Sequence, residues 1–532
     1  MTSTSLPLPS RLRCLCPALL PLLLAGCMLG PDYVKPELAG NATAQAQLPR
    51  AAQAGVQPAT PPSQWWRALR DPVLDQLVDE ALRNSPDLRA AQARLLASRA
   101  LQRQRRAEQL PSVGAAAGYA NVKAPDSLES SVRGLGDNIA GVAEANGRPQ
   151  EAAQLRQQFA DLDLDTELYV AGFDASWELD LFGRRRRAAE QAGAEAEANA
   201  AALADAQVQL AAELAQVYLG YRSSRERIAL AEDNLRAAKD SLQLTRQRRQ
   251  RGADSDLQVE RAQAQLQQQQ AALPPLRAQA DEARDVLALM VGREPGALDA
   301  RLAVDQPLPQ LPASVPVDDA GALIQRRPDV RKAERELAAS SAQIGQALSA
   351  YFPQVTLLGT IGAGATSVSE LGRDSAATIV APFLRWSLFD FGVNKARVAQ
   401  ARAGNQARLA AYESSVLAAL QDANTALARF GAAREQLQAS ERAQASAERS
   451  LALMTQRRQA GATSQIDLLD VERQRLQAQD GAAQARLQLL VRYVALQKSL
   501  GLGWQDAPPV VARSCFPLGM VRRYQYGAHR KR

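Results

Sequence analysis

Few side chains in this sequence are placed to carry out acid–base or metal chemistry. The only histidine is His529, near the carboxyl end, and no group of Cys or His residues has the spacing of metal ligands. Glu178 and Asp180 form a carboxylate pair, but i, i+2 spacing on a strand places both on one polar face. Three aspartates between residues 161 and 165 lie in a polar stretch typical of a solvated loop. We therefore predict that the protein is not an enzyme and holds no metal or cofactor.

The formal net charge of +7 does not by itself indicate a nucleic-acid partner. Arginines alternate with Glu, Asp and Gln along stretches with helical periodicity, which is typical of solvated helix faces. Aromatic residues make up only 5% of the chain, while Ala, Gln, Arg and Leu are abundant. This composition favours long helices, and we predict a mainly α-helical protein that does not bind nucleic acid.

The amino terminus carries a short signal of high specificity. Two arginines precede the apolar run CLCPALLPLLLAG, which is too short to span a membrane as a helix and is typical of a signal peptide. The ending LLAGC resembles the lipobox of bacterial lipoproteins, in which the peptide is cut before the Cys and the thiol is acylated. We predict that residues 1–26 are a lipoprotein signal peptide and that Cys27 is acylated. The alternative is an ordinary signal peptide with an incidental Cys.

Only Cys27 and Cys515 remain in the mature chain, so no disulfide framework is predicted. Met28 follows the acylated position, and the absence of Asp there is compatible with transfer of a lipoprotein to the outer membrane. Residues 27–64 are predicted to form an extended segment behind this anchor.

Long segments of the chain occur twice. PDLRAAQARL at 86–95 returns as PDVRKAEREL at 328–337, an offset of 242 positions. SWELDLFGR and RWSLFDFGV lie 209 positions apart, as do RRQRGADS and RRQAGATS, so the first copy contains an insert. We predict an internal tandem duplication. Its parts are a first repeat over 65–292, an equatorial linker over 293–319, a second repeat over 320–504 and a tail over 505–532.

Each copy contains strand signals followed by an unusually long helix. FDASWELDLF alternates apolar and polar residues without exception, as in a wall between lipid and water, and PQVTLLGTIG repeats the pattern. PSVGAAAGYA and IVAPFLRWSLFDF are weaker candidates for their partner strands, and residues 122–168 are predicted to form a long external loop. A small soluble sheet is the alternative, but no apolar run after the leader is long enough for a transmembrane helix.

The helical pattern runs over 184–251 and again over 393–460, roughly 100 Å in each copy at 1.5 Å per residue. Apolar residues keep a heptad register in both runs, with small residues at one of its positions, so these helices are predicted to pack along their length. Gly252 and Gly461 are predicted turn residues. Helices are also expected over 65–108 and 320–350, and return helices over 256–291 and 465–499.

Four strands cannot close a membrane barrel, because open sheet edges are not tolerated in lipid. Several chains must therefore pool their strands into a small transmembrane β part, and the long helices would continue this barrel as a coiled-coil tube. Such an assembly is a conduit from one membrane toward another.

In combination, several motifs resemble the TolC-like outer-membrane efflux proteins, in their OprM-like or NodT-like lipoprotein branch. They cover about residues 27–504: LLAGC followed by GPDY, the two PD(L/V)R segments, WELDLFG, the paired RRQxGAxS turns, QIDLLDVER and LGLGW. The resemblance implies a lipid-anchored homotrimer in the outer membrane, with a twelve-stranded β-barrel, four strands per chain, and a periplasmic α-helical barrel. It also implies a periplasmic adaptor, an inner-membrane transporter of the resistance-nodulation-division type, and export of small toxic compounds or drugs. The long 122–168 segment and the tail depart from the family pattern.

Ile466, Asp470 and Arg473 fall at i, i+4 and i+7 and hence on one helix face. From the residues alone, Asp470 and Arg473 are an exposed i, i+3 pair. The resemblance implies that Ile466 and Asp470 narrow the periplasmic opening of the resting channel, with Arg473 held near them. The first copy has Arg261 at the position of Asp470, so only the second copy supplies an acidic ring.

The two turns, formed by Gly252 with Ala253 and by Gly461 with Ala462, are predicted to meet the adaptor. The alternative is that their Gly and Arg residues only cap helices. Two other functions remain open at this point. A type I protein-secretion channel would share the fold, whereas a structural coiled-coil lipoprotein would need no strands, against the alternation at 173–181.

Overall fold

A computed structural model describes residues 28–36, 48–122, 126–145, 148–160, 166–304, 306–370, 372, 375–460, 462–463 and 465–504. The helices, numbered along the chain, are α1 (Ala51–Ala54), α2 (Pro72–Asn84), α3 (Pro86–Ala107), α4 (Asp126–Ala145), α5 (Pro149–Ala160), α6 (Arg184–Gln250), α7 (Asp256–Met290), α8 (Asp299–Leu302), α9 (Ala320–Arg326), α10 (Pro328–Ser349), α11 (Val393–Gln459) and α12 (Gln465–Ser499). The strands are β1 (Gln57–Pro58), β2 (Ser112–Val122), β3 (Thr166–Leu179), β4 (Pro316–Val317), β5 (Gln354–Ala365) and β6 (Ala376–Arg385). Over these described residues, no helix combines the length and apolar character needed to span a membrane.

The two repeats share individual hydrogen bonds as well as the order of their helices and strands. Nε1 of Trp177 donates to the carbonyl oxygen of Gln109 at 3.0 Å, and Nε1 of Trp386 donates to that of Tyr351, also at 3.0 Å. The tryptophans are 209 positions apart and their acceptors 242, which are the two offsets of the sequence repeat. Both copies therefore tie the strand end to the preceding helix in the same way.

The two long helices, α6 and α11, each contain 67 residues and confirm the predicted pair of long helices. Most heptad positions of α11 are buried, among them Tyr412, Val416, Ala423 and Phe430. Large side chains of short elements pack on the long helices and on α12, including Trp65, which contacts Tyr493 of α12 edge-on at 6.0 Å between ring centroids. This packing forms the main hydrophobic core.

The chain forms a wall one element thick, in which strands and helices share one lateral order. The four long strands pair antiparallel in the order β2-β3-β5-β6. The helices joined to them pack side by side as α3, α6, α10 and α11, and further from the strands the order is α7, α6, α12 and α11. Each strand therefore lies above its own helix, and the free edges of the wall are β2 with α3 and α7 on one side, and β6 with α11 on the other.

The register of the sheet separates an apolar face from a more polar one. Phe173 lies opposite Ala115 on β2 and Ile361 on β5, and both Phe173 and Ile361 are more than half exposed. The neighbouring pair, Asp174 and Thr360, is on the other face. The alternation predicted these strands correctly, although β3 ends at Leu179, three residues before the expected Phe182.

Two expectations about connections need correction. The segment 122–168, predicted as a loop, contains the helices α4 and α5, which pack together and are joined by a 2.6 Å ion pair between Arg156 and Glu144. The helix expected over 65–108 is interrupted at Ser85, and the one over 320–350 at Arg327. Both residues precede a proline, which disfavours the helical conformation of the residue before it and lacks an amide donor. The three aspartates at 161–165 lie outside the described residues.

Candidate functional site

The turn after α6 is closed by backbone hydrogen bonds that require a glycine. Gly252 has a φ of +77°, in the left-handed region that favours glycine, and its amide donates to the carbonyl of Arg249 at 2.9 Å. The amide of Ala253 donates to the carbonyl of Arg248 at 2.9 Å. These bonds satisfy carbonyls that the helix end leaves free, and the chain reverses directly into α7.

The second turn repeats part of this geometry. The amide of Ala462 donates to the carbonyl of Arg457 at 2.9 Å, which is the Ala253–Arg248 bond displaced by 209 positions. Gly461 itself lies outside the described residues. The guanidinium of Arg458 donates to the carbonyl of Thr463 at 3.0 Å, so an arginine also stabilises this turn.

A buried carboxylate connects the two turns, and the sequence analysis missed it. The Asp254 side chain is only 3% exposed and lies 3.4 Å from Nε of Arg248 and 3.7 Å from Nη2 of Arg458. Its counterpart in the second repeat is Thr463. The sequence signal that could have revealed this contact is the difference between RRQRGADS and RRQAGATS. An acidic residue present in one turn and absent from its duplicate needs a basic partner from another part of the chain.

The start of α7 is held by a capping box. The Ser255 side chain accepts from the backbone at Gln258, and the Gln258 side chain accepts from the amide of Ser255. Beside it, the hydrogen bond from Arg249 lowers the pKa of the exposed Asp256 carboxyl. The start of α7 is therefore stabilised by the capping box and by an exposed ion pair between Arg249 and Asp256.

The segment QIDLLDVER begins α12. Asp470 and Arg473 form an ion pair, and the two side chains are 54% and 55% exposed in the protomer. The backbone of Ile466 lies in the first turn of α12, and its side chain is outside the described part of the structure. Asp470 and Arg473, the described candidates for the constriction, thus lie on a solvent-exposed face of α12 in the protomer, which we call its free face.

The adjacent face of α12 packs against α6 and α7. Leu469, Glu472 and Leu476 line a small cavity with Ala238 of α6 and Ala262 of α7. Burial raises the pKa of Glu472, although Arg475 opposes this effect. The packing side of α12 is therefore distinct from the side that carries Asp470 and Arg473.

At the opposite end of the wall, a buried arginine holds the amino-terminal segment. Arg187, whose side chain is 1% exposed, donates to the carbonyls of Leu29 and Gly30, each at 3.1 Å, and to Asp32 at 2.9 Å. A Cβ on Gly30 would lie 2.5 Å from the Cα of Gly345, so only glycine fits this close approach.

The same segment reaches the junction between β3 and α6. The amide of Leu29 donates to the carbonyl of Phe182 at 3.4 Å, and Met28 packs against Gly183. Cys27 lies outside the described residues. Met28, the residue that follows Cys27, lies at the junction between β3 and α6.

The carboxylate pair noted in the sequence is engaged in ion pairs at this junction. Glu178 accepts from Nε of Arg184 at 3.1 Å and from Nε of Arg185 at 3.0 Å. Asp180 has left the strand and accepts from the amide of Arg186 at 2.8 Å. Among the described residues, no group of three His, Cys, Asp or Glu side chains is arranged to hold a metal ion.

Comparison with known proteins agrees with this architecture. The sequence matches the outer membrane efflux protein family over residues 77–293 and 320–502. It is 30% identical over 504 residues to the pyoverdine export outer membrane protein OpmQ of Pseudomonas aeruginosa, covering 93% of this chain and 98% of that protein. It is 28% identical over 494 residues to the toluene efflux pump outer membrane protein TtgI of Pseudomonas putida, covering 91% and 97%.

Solved structures of outer-membrane channels have the same fold. The outer-membrane channel OprN superposes with a TM-score of 0.77 at 35% identity, covering 90% of this chain and all of that chain. The open state of the Neisseria gonorrhoeae MtrE outer membrane channel gives a TM-score of 0.72 at 25% identity, covering 90% and 99%. The described wall of strands and helices is thus the protomer fold of such channels.

Asp254→Asn should loosen the contact between the two turns, because it removes the charge that faces Arg458 in a largely buried position. The free energy of local opening that protects the amides near residue 254 should fall by about 1–3 kcal/mol. Hydrogen–deuterium exchange of the detergent-solubilised protein measures this change. Asp256→Asn is the matched control, since its partner Arg249 is exposed, and equal acceleration in both variants would contradict the role given to Asp254.

Proposed function

The chain belongs to the outer membrane efflux protein family, and from that membership we propose that it forms the outer-membrane channel of a tripartite efflux system. The observation that carries this proposal is the single-layer wall with matched strands and helices and two free edges. A wall of this kind encloses a continuous passage only when copies join edge to edge.

A homotrimer would pair the free edge strands, β2 and β6, of neighbouring protomers. β2 and β6 each pair on one side only within the protomer, and unpaired backbone groups are costly in hydrocarbon. Three copies would give a barrel of about twelve strands, within the range of membrane barrels. Exposed aromatic side chains below β6, Trp386, Phe389 and Phe391, suit a membrane–water interface and support this placement.

The exported molecules are proposed to be small toxic compounds or drugs. Relatives that match nearly the whole chain are a pyoverdine exporter and a toluene efflux protein, which favours small molecules over the secretion of proteins. The partners would be a periplasmic adaptor and an inner-membrane transporter of the resistance-nodulation-division type. The helices, roughly 100 Å long, would carry the channel into the periplasm toward them.

We place the resting constriction at the free face of α12. In a threefold assembly an axis-facing side chain becomes a ring, so Ile466 would form an apolar ring and Asp470 an acidic one. Arg473, already paired with Asp470 in the protomer, would partly offset the repulsion among the three carboxylates.

The double variant Ile466→Ala/Asp470→Ala should raise single-channel conductance in planar bilayers several-fold, because both rings are removed while the packing side of α12 is untouched. Cells carrying it should also become sensitive to large antibiotics. Leu257→Ala/Arg261→Ala, at the equivalent positions of the first repeat, is the matched control and should stay close to wild type. If the double variant inserts into the membrane and its conductance is unchanged, the constriction lies elsewhere. If neither the wild type nor the variant forms channels, the proposed conduit is refuted.

Cys27 is proposed to be the acylated first residue of the mature protein. The fixed position of Met28 at the strand–helix junction supports this, since an acyl chain on the preceding residue would start at the membrane boundary. Intact-mass analysis should show a chain beginning at Cys27 with added acyl mass. Cys27→Ser should lose that mass and sort poorly, with the barrel still able to form, whereas Cys515→Ser should keep it. An unmodified Cys27 in the mature wild-type protein would exclude the anchor.

The two turns are proposed to contact the adaptor, because they are the exposed end of the helices. In a background lacking Cys515, Ala253→Cys and Ala462→Cys should crosslink to the co-expressed adaptor. Ala313→Cys, an exposed position in the 293–319 linker, is the comparison site. Crosslinks from Ala313→Cys alone would argue that docking occurs along the side of the tube.

A further inference from the structure

Among the described residues, four basic side chains near the strand–helix boundary have no acidic partner. Arg103 and Arg106 lie in the last turns of α3, and Lys395 and Arg402 in the first turns of α11. All four are exposed, and none takes part in an ion pair among the described residues. They belong to the two helices that form opposite edges of the wall.

These side chains emerge on the same side of the wall. Gln102 lies against Gly193 of α6, and Ala401 packs with Ile344 of α10, so each marks the face turned toward the interior of the protomer. Arg103 and Arg402 follow them by one residue, a step of about 100° around the helix. Because α3 runs toward the strands and α11 away from them, at opposite edges, the same step turns both side chains to one side.

That side is the one that carries the amino-terminal segment. Arg99, Arg103 and Arg106 share one face of α3 at i, i+4 and i+7 spacing. Arg99 lines a cavity of about 400 Å³ together with Arg335, whose guanidinium lies 5.6 Å from the ring centroid of Tyr33. Since this segment would descend from the lipid anchor along the outside of the tube, the basic side chains face outward.

Edge-to-edge assembly brings the two basic sets together. In the proposed ring, α3 of one protomer lies beside α11 of the next, and we call this line of contact the seam. Along the helix axes, the four residues lie roughly 2–14 Å from the strand-side ends of these helices, at the height expected for phospholipid head groups. Four like charges would therefore meet at each seam.

Acidic groups close to the seam are already engaged. Glu108 pairs with Arg105 at 3.0 Å and with Arg185 at 3.2 Å. Asp390 accepts from the amides of Gly392 at 3.0 Å and Asn394 at 2.8 Å, where it stabilises the start of α11. Neutralisation of the seam thus calls for an anion from outside the protein.

We propose that each seam binds the phosphate head group of an anionic phospholipid from the membrane leaflet that faces the periplasm. Arginine forms bidentate hydrogen bonds with phosphate, and clusters of Arg and Lys at a membrane surface recognise anionic lipids. This inference rests on the proposed trimeric channel and adds a lipid partner that bridges neighbouring protomers.

The test compares the purified protein with the variant Arg103→Gln/Arg106→Gln/Lys395→Gln/Arg402→Gln by native mass spectrometry in mild detergent. Phosphatidylglycerol and phosphatidylethanolamine are added at equal concentration. The wild-type trimer should retain phosphatidylglycerol at least about tenfold more strongly, a preference that the variant loses. Arg94→Gln/Arg442→Gln is the control and should keep the preference, because it removes exposed arginines of the same two helices that lie further from the strands.

Heat-induced dissociation of the trimer gives a second readout, in which the direction of the temperature change can be predicted. Phosphatidylglycerol should raise the dissociation temperature of the wild type and leave that of the quadruple variant unchanged. Without anionic lipid, the variant should be at least as stable as the wild type, because like charges have been removed from the seam. A merely structural role of the four residues would instead weaken the variant in every lipid.

The possible results distinguish failure of the lipid site from failure of the trimeric assembly on which it rests. A wild-type trimer with no preference for phosphatidylglycerol, or one whose lipid is displaced by inorganic phosphate at the same concentration, would overturn the lipid site and leave the channel intact. A protein that stays monomeric in both lipids would overturn the seam and the proposed assembly together.

Discussion

Unpaired backbone groups at the two free strand edges are the constraint from which the rest of this structure follows. β2 and β6 each have a partner on one side only, and a bilayer offers no water to satisfy the other side. A four-stranded sheet is therefore not a finished membrane structure. The helices follow the same lateral order as the strands, so any assembly that closes the sheet also closes the helical wall beneath it.

The duplication supplies two similar halves of this wall, and two acidic residues have no acidic counterpart in the other half. Asp254 has Thr463 as its counterpart, and Asp470 has Arg261. The first acid is buried between two arginines and joins the turns, whereas the second is exposed on a free helix face. The helical hairpin of α4 and α5, between β2 and β3, is a third difference, since the described residues between β5 and β6 contain no such hairpin.

The amino-terminal segment links the membrane end of the wall to the helices below it. Arg187 is buried and is bonded to Leu29, Gly30 and Asp32, which holds this otherwise extended chain against α6. Further along, the hydroxyl of Tyr33 donates to Glu334 at 2.7 Å. The proposed acyl group on Cys27 would thus be joined to the wall through this segment by several charge-assisted hydrogen bonds.

Local periodicity determined much of the fold from sequence alone. The alternation around Trp177 and the heptads around Val416 and Ile228 reflect burial on one face, which each segment expresses within its own residues. Gly252 marked the turn after α6 for the same reason, since the backbone preference of glycine is local. The duplicated motifs also identified the family and the turn at Gly252.

Only the tertiary structure decided which distant side chains meet. Asp254 and Arg458 are 204 positions apart, and Arg187 and Gly30 are 157 apart, so no short motif contains either pair. The hairpin within 122–168 was missed because its helices pack mainly on each other, leaving a polar stretch with the character of a loop. Periodicity reports which face of an element is buried, whereas the identity of the partner depends on how the elements are ordered in space.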